Sequence, residues 1–277
     1  DIITINLFLL LCISSILGLW GLRQRQKQLE GIIDIEPYAL IGYVFLAAIT
    51  IGAIAWFFGT ANDPAYAAVA DVVIFSHLGY GFIFVAYVIS NFGGPLSNNL
   101  AVYKILYSPT TMPFFTFRLA GLIVTLFLLI YNSWQVPAHN AVAGYQNLVA
   151  DLYLMEDNQR VAAIFYNQGR TYGYSNHHSN YALANLAALK FDHEGEKGFY
   201  KAASYRRPTE MSYLNWAQMF QSEDDVAGAI QVLEEGLQKF PGSAALSNTL
   251  GLLYASRNSP DSAIRFFESK DEVTFSN

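Results

Sequence analysis

Charge is the scarcest ingredient of this sequence. Of its 277 residues only 14% are charged and 53% are hydrophobic, where an ordinary soluble domain carries about 25% charged residues. Part of the chain therefore does not sit in water. The scarcity is uneven. Residues 1–134 hold five basic side chains (Arg23, Arg25, Lys27, Lys104 and Arg118) and six acidic ones, and the remainder holds eleven and sixteen. Most of the net charge of −6 thus lies in the second half. Clustered Lys and Arg are lacking, which argues against nucleic acid as a partner, since phosphate neutralisation needs them. The single cysteine, Cys12, excludes an internal disulfide and a cysteine-based metal site. It follows Leu-Leu-Leu, without the small residues expected before a lipidated cysteine, and reads as a lipid-facing or packing residue. There is no His-Glu-x-x-His, no Gly-x-Ser-x-Gly and no glycine-rich phosphate loop; Gly169 and Gly173 are too scattered to cradle phosphate. No catalytic, cofactor or metal residue is expected.

What the first half has instead is four apolar runs. The first, 3–22, is uncharged and about long enough to cross a bilayer. Its basic residues, Arg23, Arg25 and Lys27, come after it, the reverse of a secretory signal peptide. Pro37 opens the second run, 38–58, as proline does in a first helical turn. Gly42 and Gly52 give it small faces for helix contact, and Trp56 fits the interfacial aromatic belt. The third, 69–89, begins near Asp71 and carries Ser76, His77, Tyr80 and Tyr87; Asn91-Phe92-Gly93-Gly94-Pro95 is expected to break it. A polar loop with a short interfacial helix at 100–107 leads to the fourth run, 114–131, with Arg118 in its first turn and Trp134 beyond it.

Basic residues then set orientation, because short cytoplasmic loops are enriched in Lys and Arg. The loops after the first and third runs carry Arg23, Arg25, Lys27 and Lys104, and the loop after the second carries none. Both basic loops are expected in the cytoplasm. Everything after residue 134 then falls on the opposite side, the periplasm, of a bacterial inner membrane.

His77 is the one intramembrane residue that could bind a cofactor. A bis-histidine haem needs a second histidine at membrane depth, and the four runs hold no other. The favoured reading is a neutral imidazole hydrogen-bonded to a neighbouring helix or another subunit, with Tyr80 and Tyr87 as further polar contacts. Asp71 and Arg118 lie near opposite membrane faces and are read as snorkelling anchors.

The second half repeats. Counting from Ala244 as position 1, Leu250 and Gly251 fall at 7 and 8, Tyr254 at 11, Ala263 at 20 and Phe267 at 24. One period earlier, from Glu210, the same positions hold Trp216, Ala217, Phe220, Ala229 and Leu233, with Pro241 at 32. From His177 they give Leu183, Ala184, Ala187 and Tyr200, with Ala203 and Pro208 following and Glu196 a misfit at the small position 20. From Ala143 they give Tyr153, Ala162 and Tyr166. Small residues at 8 and 20 let two antiparallel helices approach, and large apolar ones fill the seam. Residues 143–277 accordingly resemble a tetratricopeptide-repeat (TPR) array. The expected organisation is all-α: a four-helix transmembrane domain (1–134), a linker (135–142), and a helical solenoid of four repeats at 143–176, 177–209, 210–243 and 244–277. The chain starts at Asp1 and stops at the end of a repeat, with no polar capping helix after Phe275, so it is read as part of a longer protein.

The resemblance also implies a concave groove lined by Asn147, Asp151 and Met155, then His178, Tyr181 and Asn185, then Met211, Leu214 and Gln218, and finally Asn248 and Leu252. None is basic, so a clamp for a partner's terminal carboxylate is not expected. The surface suits an extended chain or a partner helix, or is the wet face of a spacer. His177 and His178 are adjacent, so on a helix they diverge by about 100° and do not share a metal; His193-Glu194-Gly195-Glu196 reads as a solvated turn. These features point to a non-enzymatic membrane scaffold, docking other integral-membrane subunits through its spans and a periplasmic protein or peptide through its groove. Protein export, envelope assembly, or a respiratory or motility complex would fit. An alternative is the C-terminal part of a polytopic glycosyltransferase or O-antigen-ligase-like enzyme with a TPR tail, for which Asp63 and Asp71 would be the outward-facing acids. A haem-bearing electron carrier, resting on His77 alone, is the weakest reading.

Overall fold

The computed structural model describes residues 6–29, 38–98, 114–131, 135–173 and 175–267. Every regular element among them is a helix: α1 (Leu7–Leu29), α2 (Tyr38–Gly59), α3 (Asp63–Ser97), α4 (Phe114–Tyr131), α5 (Gln135–Met155), α6 (Gln159–Tyr172), α7 (His177–Ala188), α8 (His193–Ala203), α9 (Glu210–Ser222), α10 (Val226–Lys239), α11 (Ala244–Ser256) and α12 (Pro260–Phe267). Pro37, Lys104, the helix expected at 100–107, Trp134 and Phe275 lie outside the described residues. The chain divides into two units, Asp1–Thr60 with Tyr66–Ala138, and Ala61–Ala65 with His139–Asn277.

In the first unit, α1, α2 and α3 are long and apolar enough to cross a membrane; α4 is added if it and α5 count as one bent span. Leu7, Leu11 and Ile54 form a small core with Phe8, Ile51, Val69 and Val73 against it. Most other large apolar side chains here, such as Ile16, Phe45, Phe82 and Phe127, point away from the chain. His77 has polar partners both on its own helix and on α1. His77 Nδ1 donates to the Val73 carbonyl at 2.8 Å, and its Nε2 meets the Ser14 hydroxyl of α1 at 2.6 Å. Both ring nitrogens are thus engaged within the chain. Tyr80 and Tyr87 turn instead to α4, with their rings 6.5 and 5.9 Å from that of Phe117. His77 therefore serves α1 while Tyr80 and Tyr87 serve α4, with 77 about 60–80° round the helix from the other two.

The small faces are used differently from expectation. A Cβ on Gly79 would come within 2.9 Å of the Thr125 backbone nitrogen, and one on Gly121 would enter the Tyr80 ring. These two glycines let α3 and α4 touch. Gly42 and Gly52 meet nothing within 4 Å. Nor does α3 break at Asn91-Phe92-Gly93-Gly94-Pro95; it runs on to Ser97 with Pro95 inside. Pro95 removes only the bond to the Asn91 carbonyl, so near a helix end the cost is one hydrogen bond. At 35 residues α3 is about 52 Å long, well beyond the ~30 Å hydrocarbon core.

The second unit stacks helices in pairs: α5 with α6, α7 with α8, α9 with α10 and α11 with α12. Residues 135–142, expected as a linker, are the opening turns of α5. The segment from His193 to Glu196, expected as a turn, opens α8 with Asp192 as N-cap. Asn158, Asn176, Asp192, Thr209, Asp225 and Ser243 each accept a backbone N–H three residues on, the preferred N-cap chemistry. Each pair turns through a residue with positive φ: Asp157 (58°), Phe191 (58°), Asp224 (61°) and Asn258 (54°). Ala150, Ala162, Ala184, Ala217 and Ala229 are fully buried where helices meet. Glu196, the misfit, is half-buried at its equivalent place, and burial raises its carboxyl above the usual range. Tyr213, Leu233, Leu246 and Leu250 fill the seams of the last two pairs; Tyr166, Leu183 and Leu186 fill those of the first two.

Candidate functional site

The turn after α2 and the first turn of α3, Ala61–Ala65, are part of the array unit. Ala61, itself at φ 51°, turns the chain so that Asn62 to Ala65 lie against α5 and α7. Asn62 Nδ2 donates to the Gly144 carbonyl at 3.0 Å, and its Oδ1 accepts from Asn147 Nδ2 at 3.3 Å. The Asp63 carboxylate accepts the backbone N–H of His177 on one oxygen and that of His178 on the other, both at 3.1 Å. Ala65 packs on Gly144 so closely that a Cβ there would stand 2.5 Å from its methyl group. Only glycine lets the two backbones approach this way.

Below this strap lies a buried polar layer. Asn147 Oδ1 accepts from Ser179 Oγ at 2.5 Å. Asn176 caps α7 through Ser179 N while its Nδ2 donates to the carbonyls of Gly169 and Gly173 at 3.1 and 2.7 Å. Asp63 and Asn176 together satisfy the first three N–H groups of α7, which would otherwise be orphaned in a buried place. His177 is buried among them, with Nδ1 donating to the Ala203 carbonyl at 3.2 Å; burial holds its pKa below the ordinary histidine value, although the bond to Ala203 and the Asp63 charge oppose this. His178 points elsewhere. Its Nε2 donates to Asp151 Oδ1 at 2.8 Å, the same oxygen that takes the Tyr166 hydroxyl at 2.6 Å. The neighbouring histidines thus serve different partners.

The residues assigned to the groove divide along the array. Asn147 is fully buried under Asn62, so it is a packing residue and offers nothing to a partner. Asp151 and His178 are half-buried and bonded to each other. Tyr181 accepts from Asn215 Nδ2 at 2.9 Å, and Asn185 from the Tyr200 hydroxyl at 2.8 Å. The Tyr200 hydroxyl is pushed up to about 12, chiefly by burial. Leu214 and Asn248 are half-buried, while Met155, Met211, Gln218 and Leu252 are exposed, Met155 by 84%. Sequence reasoning missed Asn62, Asp63, Asn176 and Ser179 as a set. Their only local signal was the run of Asn and Ser around the start of α7. Elsewhere in the array, Lys201, Trp216, Phe220, Gln231 and Glu235 line a cleft of about 620 Å³. Among the described residues no three His, Cys, Asp or Glu side chains converge as a metal site requires.

No protein-family model matches the chain, and no curated protein matches it. Among solved structures, the crystal structure of the APC/C hetero-tetramer Cut9-Hcn1 is similar at a TM-score of 0.36 and 13% sequence identity, over 97% of this chain and 54% of that one. The present chain thus spans about half the length of that protein. The order of the helix pairs, their caps and their buried small residues are the chain's own. They make the second unit a TPR-like helical repeat.

Proposed function

We propose that this chain is a non-enzymatic, membrane-anchored scaffold subunit of a larger bacterial envelope complex, whose TPR-like array binds a partner polypeptide outside the cytoplasm. The observation that supports this most is the place of the strap in the sequence. Ala61–Ala65, the turn after α2 and the first turn of α3, belongs to the array unit. If α3 crosses the bilayer, the chain must cross again before it rejoins the array at His139. The apolar helix α4 lies between. Four crossings follow, with the strap and the array on one side, and Arg23, Arg25 and Lys27 at the end of α1 together with Lys104 on the other. Basic residues next to spans favour the cytoplasmic side. Charge and strap are independent lines of reasoning that agree on which loops share a side.

The face left for a partner runs through Tyr181, Asn185, Met211, Leu214, Gln218, Asn248 and Leu252, a mixture of amide, aromatic and thioether surface suited to a neutral extended chain or a helix. The open small faces at Gly42 and Gly52 suit another membrane subunit. For the glycosyltransferase alternative, the nearest outward acid, Asp63, has both carboxylate oxygens committed to backbone N–H groups.

Sidedness is the test. In a Cys12→Ser background, Ser256→Cys at the exposed last residue of α11 should react in intact cells with a membrane-impermeant maleimide. Labelling only after lysis would overturn the orientation and move the partner to the cytosol.

A further inference from the structure

We infer that one edge of the array, the edge that carries Tyr205 and Arg206, rests on the phosphate headgroups of an anionic lipid surface. The inference rests on the reading that α2 and α3 cross a bilayer and is independent of which side of it the array occupies.

Consecutive helices of the array pack against each other through short turns, so the turns alternate between two edges. Those that open α7, α9 and α11 share one edge, and those inside the helix pairs share the other. The strap sits on the first. Asp63 accepts the backbone N–H groups of His177 and His178 at the start of α7, both at 3.1 Å. The next turn on that edge is tied to the same place, because His177 Nδ1 donates to the Ala203 carbonyl at 3.2 Å. Tyr205 and Arg206 follow directly after Ser204.

Connectivity brings this edge to the lipid surface. On the spanning reading α2 ends its crossing at Gly59, and α3 begins its own at Asp63. The apolar run of α3 starts at 69, about 9 Å along the helix from Asp63. The headgroup layer is about 5–7 Å deep on each face of a bilayer, so the strap stands at its outer rim.

The two edges also differ in charge. The strap's edge holds Arg170, Lys201, Arg206, Arg207 and Lys239 against Asp63 and Glu210. The opposite edge carries an acidic excess in Glu156-Asp157, Asp192 and Glu223-Asp224-Asp225, which a negative surface would repel. Arg170, Lys201 and Lys239 lie in last helical turns, where the helix dipole favours a cation in any surroundings. That account fails for Arg206 and Arg207. They stand just before the N-terminus of α9, where the dipole disfavours a cation, and both are exposed. Arg207 is engaged within the chain, so Arg206 is the cation assigned to the headgroups. Beside it Tyr205 is 76% exposed. Headgroup phosphates suit both side chains: the guanidinium takes phosphate oxygens in pairs, and tyrosine gathers at the membrane–water boundary.

Depth measurement by spin labelling tests this in the full chain, reconstituted into nanodiscs of phosphatidylglycerol. In a Cys12→Ser background, single cysteines replace Tyr205, Ser256 on the acidic edge, or Phe82 within α3, all exposed positions. The Tyr205→Cys label should collide with a water-soluble nickel chelate about threefold less often than the Ser256→Cys label. Discs of phosphatidylcholine, or the added change Arg206→Glu, should remove most of that protection. A Tyr205→Cys label as open to the chelate as the Ser256→Cys label, with the Phe82→Cys label in hydrocarbon, would overturn this inference and leave the spanning reading standing. A Phe82→Cys label in water would overturn both. Protection that is the same in phosphatidylcholine and with Arg206→Glu would mean that protein, and not anionic lipid, covers the edge, and would also overturn the inference.

Discussion

Asp151 Oδ1 lies 2.8 Å from His178 Nε2, and it is the one acceptor shared by that histidine and the Tyr166 hydroxyl. The contact joins α5, α6 and α7 through side chains that sit on three different helices. Burial and the Asp151 carboxylate both raise the Tyr166 hydroxyl far above its usual range, so it remains a donor at any working pH.

Asp151→Ala strands that buried hydroxyl, and leaving a buried donor unpaired costs about 1–3 kcal/mol. Asp151→Asn keeps an acceptor oxygen and should lose less. Denaturant unfolding of the two variants orders them; an Asp151→Ala protein as stable as wild type would mean that water reaches the Tyr166 hydroxyl.

Ala229 and Ala263 stand where paired helices touch, exposed by 0% and 3%. Tryptophan at either place has no room, and overpacking of this kind costs about 1–3 kcal/mol or more. Thermal melting should fall well below wild type for both, while Gln218→Ala on the exposed face should leave it nearly unchanged. Unchanged melting in both tryptophan variants would refute the helix register.

His177 gives stability a pH dependence. Its folded pKa lies below its unfolded value near 6.5 because of burial. The unfolded chain then binds the proton more readily, so this contribution is fully present above pH ~6.5 and is lost as pH falls toward the folded pKa. His177→Asn keeps a donor for the Ala203 carbonyl and does not titrate. Its melting temperature should fall less than that of the wild type between pH 7 and pH 5, and parallel curves would contradict the assignment.

Phe191 turns the second helix pair at φ 58°, where the equivalent residues Asp157, Asp224 and Asn258 are of the types that tolerate left-handed backbone. Its side chain is exposed and contributes little packing. Phe191→Asn should therefore stabilise the chain, by up to about 1 kcal/mol. Calorimetry showing a loss instead would mean that the ring makes a contact worth more than the backbone strain.

Much of the architecture was decided by the sequence alone, because local physics suffices for it. Apolar runs of spanning length specify α1 to α4, and the recurrence of Ala and Gly at close-approach positions specifies the helix pairs from α5 to α12. Caps such as Asn158, Thr209 and Ser243 set where those helices begin. Boundaries were less legible where a breaker sat near a helix end: Pro95 cost too little there to stop α3, and 135–142 had no cap to hold it apart from α5. The site was not legible at all. Asn147 looked like a groove residue because its place in the repeat is outward-facing, and only tertiary structure brings Asn62 down upon it. Asp63 lies 114 residues from His177, and no pattern of local spacing marks a carboxylate that will satisfy another helix's N–H groups. That pairing is chosen by which buried donors would otherwise go unmet, and this is known only once the helices are packed.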